Sequence, residues 1–193
     1  MKNYKMIFSW GALLVYLLLF SQGVFQGLDT FAYNFISSFR HETLTSLMIG
    51  ITSLGAWYSM VIIAVIILLI DKRKGLIMSA NMIFITILNY LIKITVMRPR
   101  PFVEHLVRET SFSFPSGHSM VSFAVFGLIT YYLYPKHKFL SYAVMILPIF
   151  IGLTRIYLGV HYATDVIGGF LFSFAWLCTM IPLLKKNNSL SIS

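Results

Sequence analysis

Six long runs of apolar residues, nearly free of charge, constrain this 193-residue chain more than any other feature. They cover 6–24, 54–70, 76–95, 117–134, 139–157 and 164–184, each about 17–21 residues. A helix needs ~20 residues to cross ~30 Å of hydrocarbon. The runs are apolar on all sides and show no period of two, which excludes the strands of a membrane barrel. Composition agrees, with 58% hydrophobic and 11% charged residues, against roughly 25% charged in soluble domains. A soluble chain of this length buries only about 70% of its surface and cannot hide so much apolar area. The expected fold class is therefore all-α. It is a polytopic membrane protein with six transmembrane helices in one bundle, and residues 1–193 form one domain. A soluble enzyme, a disordered chain and a disulfide scaffold are excluded; Cys178 is the only cysteine. Lys2 and Lys5 precede the first run as in a signal peptide. That run is too long, and no small-x-small cleavage site follows, so it is read as retained.

The formal net charge is +9. No basic stripe with interleaved aromatics accompanies it, so nucleic acid is not an expected partner. The positives fall between apolar runs, as they do in membrane loops. With the N-terminus inside, the inner segments hold nine: Lys2, Lys5, Lys72, Arg73, Lys74, Lys136, Lys138, Lys185 and Lys186. The outer segments hold six: Arg40, Lys93, Arg98, Arg100, Arg108 and Arg155. Both termini are thus expected in the cytoplasm. Outer positives run against the trend and call for a separate reason. Between the first two spans, Leu28, Phe31, Phe35, Phe39 and Leu47 recur at roughly helical spacing. This predicts an amphipathic helix, either lying in the outer interface or packed on the bundle. The tail 185–193 is polar and expected to fray.

Three outer segments hold nearly all the unusual residues. In the first, Lys93 lies in the last turn of the third span, its stem along the bundle and its ammonium at the interface. Pro99 and Pro101 end that helix, so Arg100 can fold back toward Lys93. Two cations held together attract an anion; they also fit simple interface anchors. In the second segment, Pro115-Ser116-Gly117-His118, Ser116 is a natural N-cap and Gly117 permits close backbone approach. A helix N-terminus binds phosphate readily, and His118 stands in its first turn. An ordinary capped helix has the same appearance. In the third, His161 and Asp165 are spaced i, i+4. Asp165 can accept from Nδ1–H of His161 and leave Nε2 as a directed lone pair, with the helix N-terminus keeping the ring neutral. Arg155 adds a planar fork suited to phosphate oxygens. Taken singly, this too fits a structural His–Asp pair.

Together these segments resemble the phosphatidic acid phosphatase type 2 family of membrane phosphatases. That family's signatures read K-x6-RP, PSGH and SR-x5-H-x3-D, in this order. Lys93, Arg100, Pro101, Pro115, Ser116, Gly117, His118, Arg155, His161 and Asp165 match with the same spacing, and Thr154 replaces the usual Ser. The resemblance implies that His161 is the nucleophile, Asp165 its orienting partner and His118 the general acid. It implies that Lys93, Arg100, Ser116, Gly117 and Arg155 bind the phosphate. The expected activity is hydrolysis of a lipid phosphate or diphosphate through a phosphohistidine. Candidate substrates are phosphatidylglycerol phosphate, phosphatidic acid and undecaprenyl diphosphate, and recycling of the undecaprenyl carrier fits a small outward-facing member. No cofactor and no metal is expected, because a two-metal site needs several converging carboxylates. Glu104, His105 and Glu109 are read as solvated loop residues. The expected partners are the lipid substrate and membrane lipids, with no obligatory protein partner, in a bacterial plasma membrane with the site on the outer face. A non-catalytic lipid-binding protein that retained the anion site is the alternative; intact His118, His161 and Asp165 argue against it. A vanadate-using peroxidase and a transporter fit less well, the latter because polar residues collect at one face.

Overall fold

The computed structural model describes residues 4–190, and side chains through residue 185. Among the described residues it contains eight helices and no strand. They are α1 Tyr4–Ser21, α2 Gln26–Ser37, α3 Glu42–Ser53, α4 Trp57–Ile70, α5 Lys72–Val96, α6 Gly117–Leu133, α7 Lys138–Tyr157 and α8 Ala163–Leu190. The central element is α6, which packs against α5, α7 and α8 and buries Met120, Ala124, Val125 and Leu128. The long α8 also receives α1, and α4 pairs with α5 through a tight turn in which Asp71 ends one helix and caps the next. Asn81 and Asn89 act as the interhelical hydrogen-bond partners expected of polar residues in an apolar helix. Asn81 donates to the Ala124 carbonyl and accepts from Trp176, and Asn89 donates to the Pro115 carbonyl.

Around this core, large apolar side chains of α1, α4, α5 and α7 face outward. An aqueous surface does not tolerate apolar area on this scale. Among the described residues, four helices are long and apolar enough to cross a membrane: Tyr4–Ser21, Lys72–Val96, Lys138–Tyr157 and Ala163–Lys185. The pair α3 and α4, bent by 46°, makes a fifth if it forms one span, and α6 is apolar but has only 17 residues.

The structure corrects several boundaries. The first helix stops at Ser21, short of residue 24, because Gly23 turns the chain at φ 72°. The segment 26–53 is two helices rather than one, separated at 38–41, with the His41 ring accepting from the Leu44 amide to cap α3. The second apolar helix begins at Trp57 rather than residue 54. At Gly55 the backbone passes so close to Ile151 and His118 that a Cβ would lie 2.6 Å and 3.3 Å from their side chains. Of the two arrangements expected for α2, its apolar pattern does not pack on the bundle. Its inner face carries buried Asp29 together with Ala32 and Ile36, packed on Ile156, Ala163 and Val166. Leu28, Phe31 and Phe35 point outward. Part of the tail expected to fray is helical, since α8 continues to Leu190. Residues 191–193, and Lys2 in the charge tally, lie outside the described residues.

Candidate active site

Helix ends and the connections between them build the site. Met97 leaves α5 in a left-handed conformation, φ 50°, its amide still donating to the Lys93 carbonyl at 2.9 Å. Pro99 and Pro101 then keep the chain extended. The 97–116 segment is pinned by Leu106 N–H to the Leu158 carbonyl, 3.0 Å, and Ser113 N–H to the Arg98 carbonyl, 2.9 Å. Ser116 caps α6 as expected: its hydroxyl accepts from the Ser119 amide. The Ser116 amide donates to the Asp165 carbonyl at 3.0 Å, which ties the start of α6 to the start of α8. At Gly117 a Cβ would lie 3.2 Å from Oδ1 of Asn89, a tight contact.

His161 lies in the turn between α7 and α8, and Asp165 in the first turn of α8. Nδ1 of His161 is 3.3 Å from Asp165 Oδ2, so the i, i+4 pair forms without a continuous helix between them. Arg100 Nη1 is 3.4 Å from Nε2 of the same ring. The Asp165 carboxylate is fully engaged. Oδ2 also accepts from Ser113 Oγ at 2.5 Å and the Tyr162 amide at 2.9 Å, and Oδ1 accepts from Arg98 at 2.6 Å. Arg98 in turn donates to Asp29 of α2 at 2.8 Å, and Asp29 accepts from Thr164. His161, Asp165, Arg98 and Asp29 thus form one chain across α2, the 97–116 segment and α8, buried except at Arg98.

Burial is the first reason the His161 imidazole resists protonation: it is pushed down to about 4, with the Asp165 carboxylate opposing and the Arg155 and Arg100 charges assisting. Burial also opposes the charge on Arg98, but Asp165 and Asp29 outweigh it and hold that guanidinium above its ordinary value.

The remaining cations surround His161. Lys93 donates to the carbonyls of Phe112 and Ser113. Arg100 donates to the Ser111 and Val160 carbonyls at 2.8 and 2.6 Å. Arg155, 1% exposed, donates to Thr52 at 2.8 Å and pairs with Glu109. His118 makes no hydrogen bond among the described residues. It stands in the first turn of α6, the helix start that Ser116 ties to Asp165. Every residue expected at the site is therefore brought to one end of the bundle. The Thr154 hydroxyl is turned away and donates to the Ile151 carbonyl.

Sequence reasoning missed Ser113, Arg98 and Asp29, and misread Glu109. Glu104 is a solvated loop residue, its side chain 77% exposed, but Glu109 faces inward between Arg100 and Arg155. Apart from Arg100 with Glu109, these contacts join residues 46–69 positions apart, so no local spacing records them. Among the described residues, no group of three or more His, Cys, Asp and Glu side chains is placed to hold a metal.

The profile of the PAP2 superfamily matches residues 74–189, which include Lys93, Arg100, Ser116, Gly117, His118, Arg155, His161 and Asp165 but not Asp29 or Thr52. The chain is 40% identical over 143 residues to phosphatidylglycerophosphatase B of Bacillus subtilis (strain 168), covering 68% of this chain and 70% of that protein. It is 27% identical over 151 residues to an undecaprenyl-diphosphatase of the same strain, covering 70% and 76%. The crystal structure of a transmembrane PAP2-type phosphatidylglycerolphosphate phosphatase from Bacillus subtilis superposes with a TM-score of 0.83 at 32% identity, over 95% of this chain and 97% of that one.

Proposed function

The chain belongs to the PAP2 superfamily, and from that membership we propose that this membrane hydrolase removes phosphate from lipids through a phosphohistidine, without a metal. The observation that carries this reading is the His161 ring, held at Nδ1 by Asp165 with Nε2 turned toward Arg100. With its proton on Nδ1, the ring has its lone pair on Nε2, where a phosphate bound by Arg100 would sit. Nε2 attacks phosphorus, and the bond from phosphorus to the lipid oxygen breaks. His118 gives its proton to that oxygen, and Asp165 stabilises the ring as it gains charge. In the second step His118 takes a proton from water, the hydroxyl displaces His161, and inorganic phosphate leaves. Lys93, Arg100, Arg155 and the α6 N-terminus at Ser116 and Gly117 neutralise the charge on the transferring group.

Six spans follow if α3 with α4 is one span and α6 another. The protein then lies in a bacterial plasma membrane with both termini in the cytoplasm and the site at the outer face, where a lipid phosphate lies at headgroup level. Likeness to phosphatidylglycerophosphatase B in sequence and fold favours phosphatidylglycerol phosphate as the substrate. Likeness to the undecaprenyl-diphosphatase supports undecaprenyl diphosphate as the second reading.

One experiment tests the whole scheme: purified protein in detergent and chelator, offered phosphatidylglycerol phosphate, phosphatidic acid and undecaprenyl diphosphate, with acid trapping of phosphoenzyme. Wild type should turn over with chelator present and trap phosphate, most rapidly with phosphatidylglycerol phosphate. His161→Ala should neither turn over nor trap. His118→Ala should lose lipid turnover by about 10²–10⁴-fold yet still trap phosphate from p-nitrophenyl phosphate, whose phenolate leaves unaided. Activity restored only by magnesium, or phosphoenzyme in His161→Ala, would count decisively against the mechanism.

A further inference from the structure

Glu109 occupies the position that the proposed function assigns to substrate. Its carboxylate is shared between two cations of the phosphate site. Oε1 pairs with Arg155 Nη2, and Oε2 lies 3.6 Å from Arg100 Nη2. These are the two guanidiniums that a phosphoryl group would bridge. The fit of the carboxylate is incomplete. It has two oxygens, both committed, while Arg155 Nε is buried with no hydrogen-bond partner among the described residues. A buried, charged donor without an acceptor is costly. A phosphoryl group has three peripheral oxygens, one more than a carboxylate, and can supply the missing acceptor.

The placement of Glu109 also allows it to leave. It sits midway between the two pinned points of the 97–116 segment, Leu106 and Ser113, and its side chain is 24% exposed. On the other side Arg155 is fixed in α7 and held by Thr52. The anion can therefore swing out while the cation stays.

Resting on the reading of this cluster as the phosphate site, we propose that Glu109 is a resident anion which substrate must displace, and that it selects lipids by headgroup charge. One negative charge leaves when Glu109 departs. A phosphomonoester or diphosphate brings about two or more at neutral pH, so its gain against the paired guanidiniums exceeds the loss. A phosphodiester headgroup brings one and gains little. The surrounding bilayer is made of phosphodiester lipids in vast excess, so a site of bare cations would be filled by them. Glu109 keeps them out.

The test compares wild type, Glu109→Gln and Glu109→Asp in detergent, reading KM, kcat, competitive inhibition by vanadate, and inhibition by phosphatidylglycerol, a phosphodiester lipid. In Glu109→Gln the KM for a phosphomonoester lipid should fall roughly ten-fold, equivalent to about 1.4 kcal/mol, with vanadate inhibition tightening in parallel. Phosphatidylglycerol should become a competitive inhibitor where it was a poor one. Glu109→Asp keeps the charge on a shorter stem that cannot reach both arginines, and its KM should fall less. If Glu109→Gln does not fold, the direction of the Asp variant's KM decides. A KM that rises in either variant makes Glu109 a brace for the arginines and overturns the proposal, as does a Gln variant with unchanged KM and unchanged phosphatidylglycerol inhibition. Failure of the underlying site assignment appears separately, in a wild type that vanadate does not inhibit competitively; that result overturns both.

Discussion

His161 is 3% exposed, and its environment sets how it responds to acid. In the unfolded chain its ring protonates near the ordinary 6.5, whereas in the fold it stays neutral to about 4. Above about 6.5 neither state binds the proton, and His161 adds no pH dependence to stability. Between 6.5 and about 4 the unfolded state binds it preferentially, so stability falls as pH falls across that window and stops falling from this source below about 4. Histidine-selective 15N NMR, assigned with His161→Ala, should therefore give a His161 midpoint near 4; a midpoint near 6.5 would mean that water reaches the ring. At this scale the site was legible wherever chemistry depends on local spacing: Lys93 to Arg100, Ser116 to His118, His161 to Asp165. It was not legible where a partner comes from another helix. Arg98 stands in the first of these motifs, yet its roles as clamp for Asp165 and anchor for Asp29 depend on α2 and α8 meeting. Ser113 is two residues from the second motif, and nothing in its neighbourhood marks a donor to Asp165.

Among the elements, α2 joins the site to the outside. Its inner face is fastened by Asp29 to Arg98 and Thr164, and its outer face leads into a row of exposed rings. Phe31 stacks on Phe35 at 6.0 Å, and Phe35 meets Phe39 edge-on at 5.3 Å. A row of this kind beside a lipid phosphate site is suited to the headgroup boundary, where it would hold acyl chains close to the catalytic turn. Phe35→Ala combined with Phe39→Ala should lower kcat/KM for long-chain lipids about five-fold or more, from roughly 1 kcal/mol or more of lost apolar contact. Hydrolysis of p-nitrophenyl phosphate should be unchanged, and so should the melting temperature, since neither ring is in the core. Equal losses on both substrates would assign the rings to folding. The break between α2 and α3 illustrates what periodicity cannot resolve. Phe31, Phe35, Phe39 and Leu47 keep a helical beat across it, while the turn is made by residues 38–41 and a histidine cap that hydropathy does not register. The start of α4 was hidden for a similar reason: Gly55 is needed for clearance from Ile151 and His118, distant in sequence.

At the scale of the whole molecule, the two ends differ in how charge is held. At one end, the turns around residues 71–74 and 134–135 and the end of α8 line one cavity, whose lining includes Arg73, Lys74 and Lys185 and a single acid, Asp71, paired with Lys74. At the other, Arg40 pairs with Glu104, Arg98 with Asp29 and Asp165, and Arg100 and Arg155 with Glu109. By the proposed topology the first side carries nine basic residues against one acid and the second six against five, which together account for the net +9. The basic residues that run against the positive-inside trend are thus largely those occupied in or beside the site, and the excess that orients membrane helices lies at the opposite end. This predicts the outcome of cysteine labelling in intact cells. With Cys178 replaced by Ala, Phe102→Cys is a suitable outer reporter, because that side chain is fully exposed (105%) in the 97–116 segment. It should react with a membrane-impermeant maleimide, while Lys74→Cys and Lys136→Cys should react only after the cells are opened. If the two turn positions label in intact cells and Phe102→Cys does not, the orientation is reversed and the phosphate chemistry belongs to the cytoplasmic leaflet. Labelling from both sides at one position would instead mean that the chain inserts in two orientations, and the charge difference between its ends would then be too weak to fix the topology.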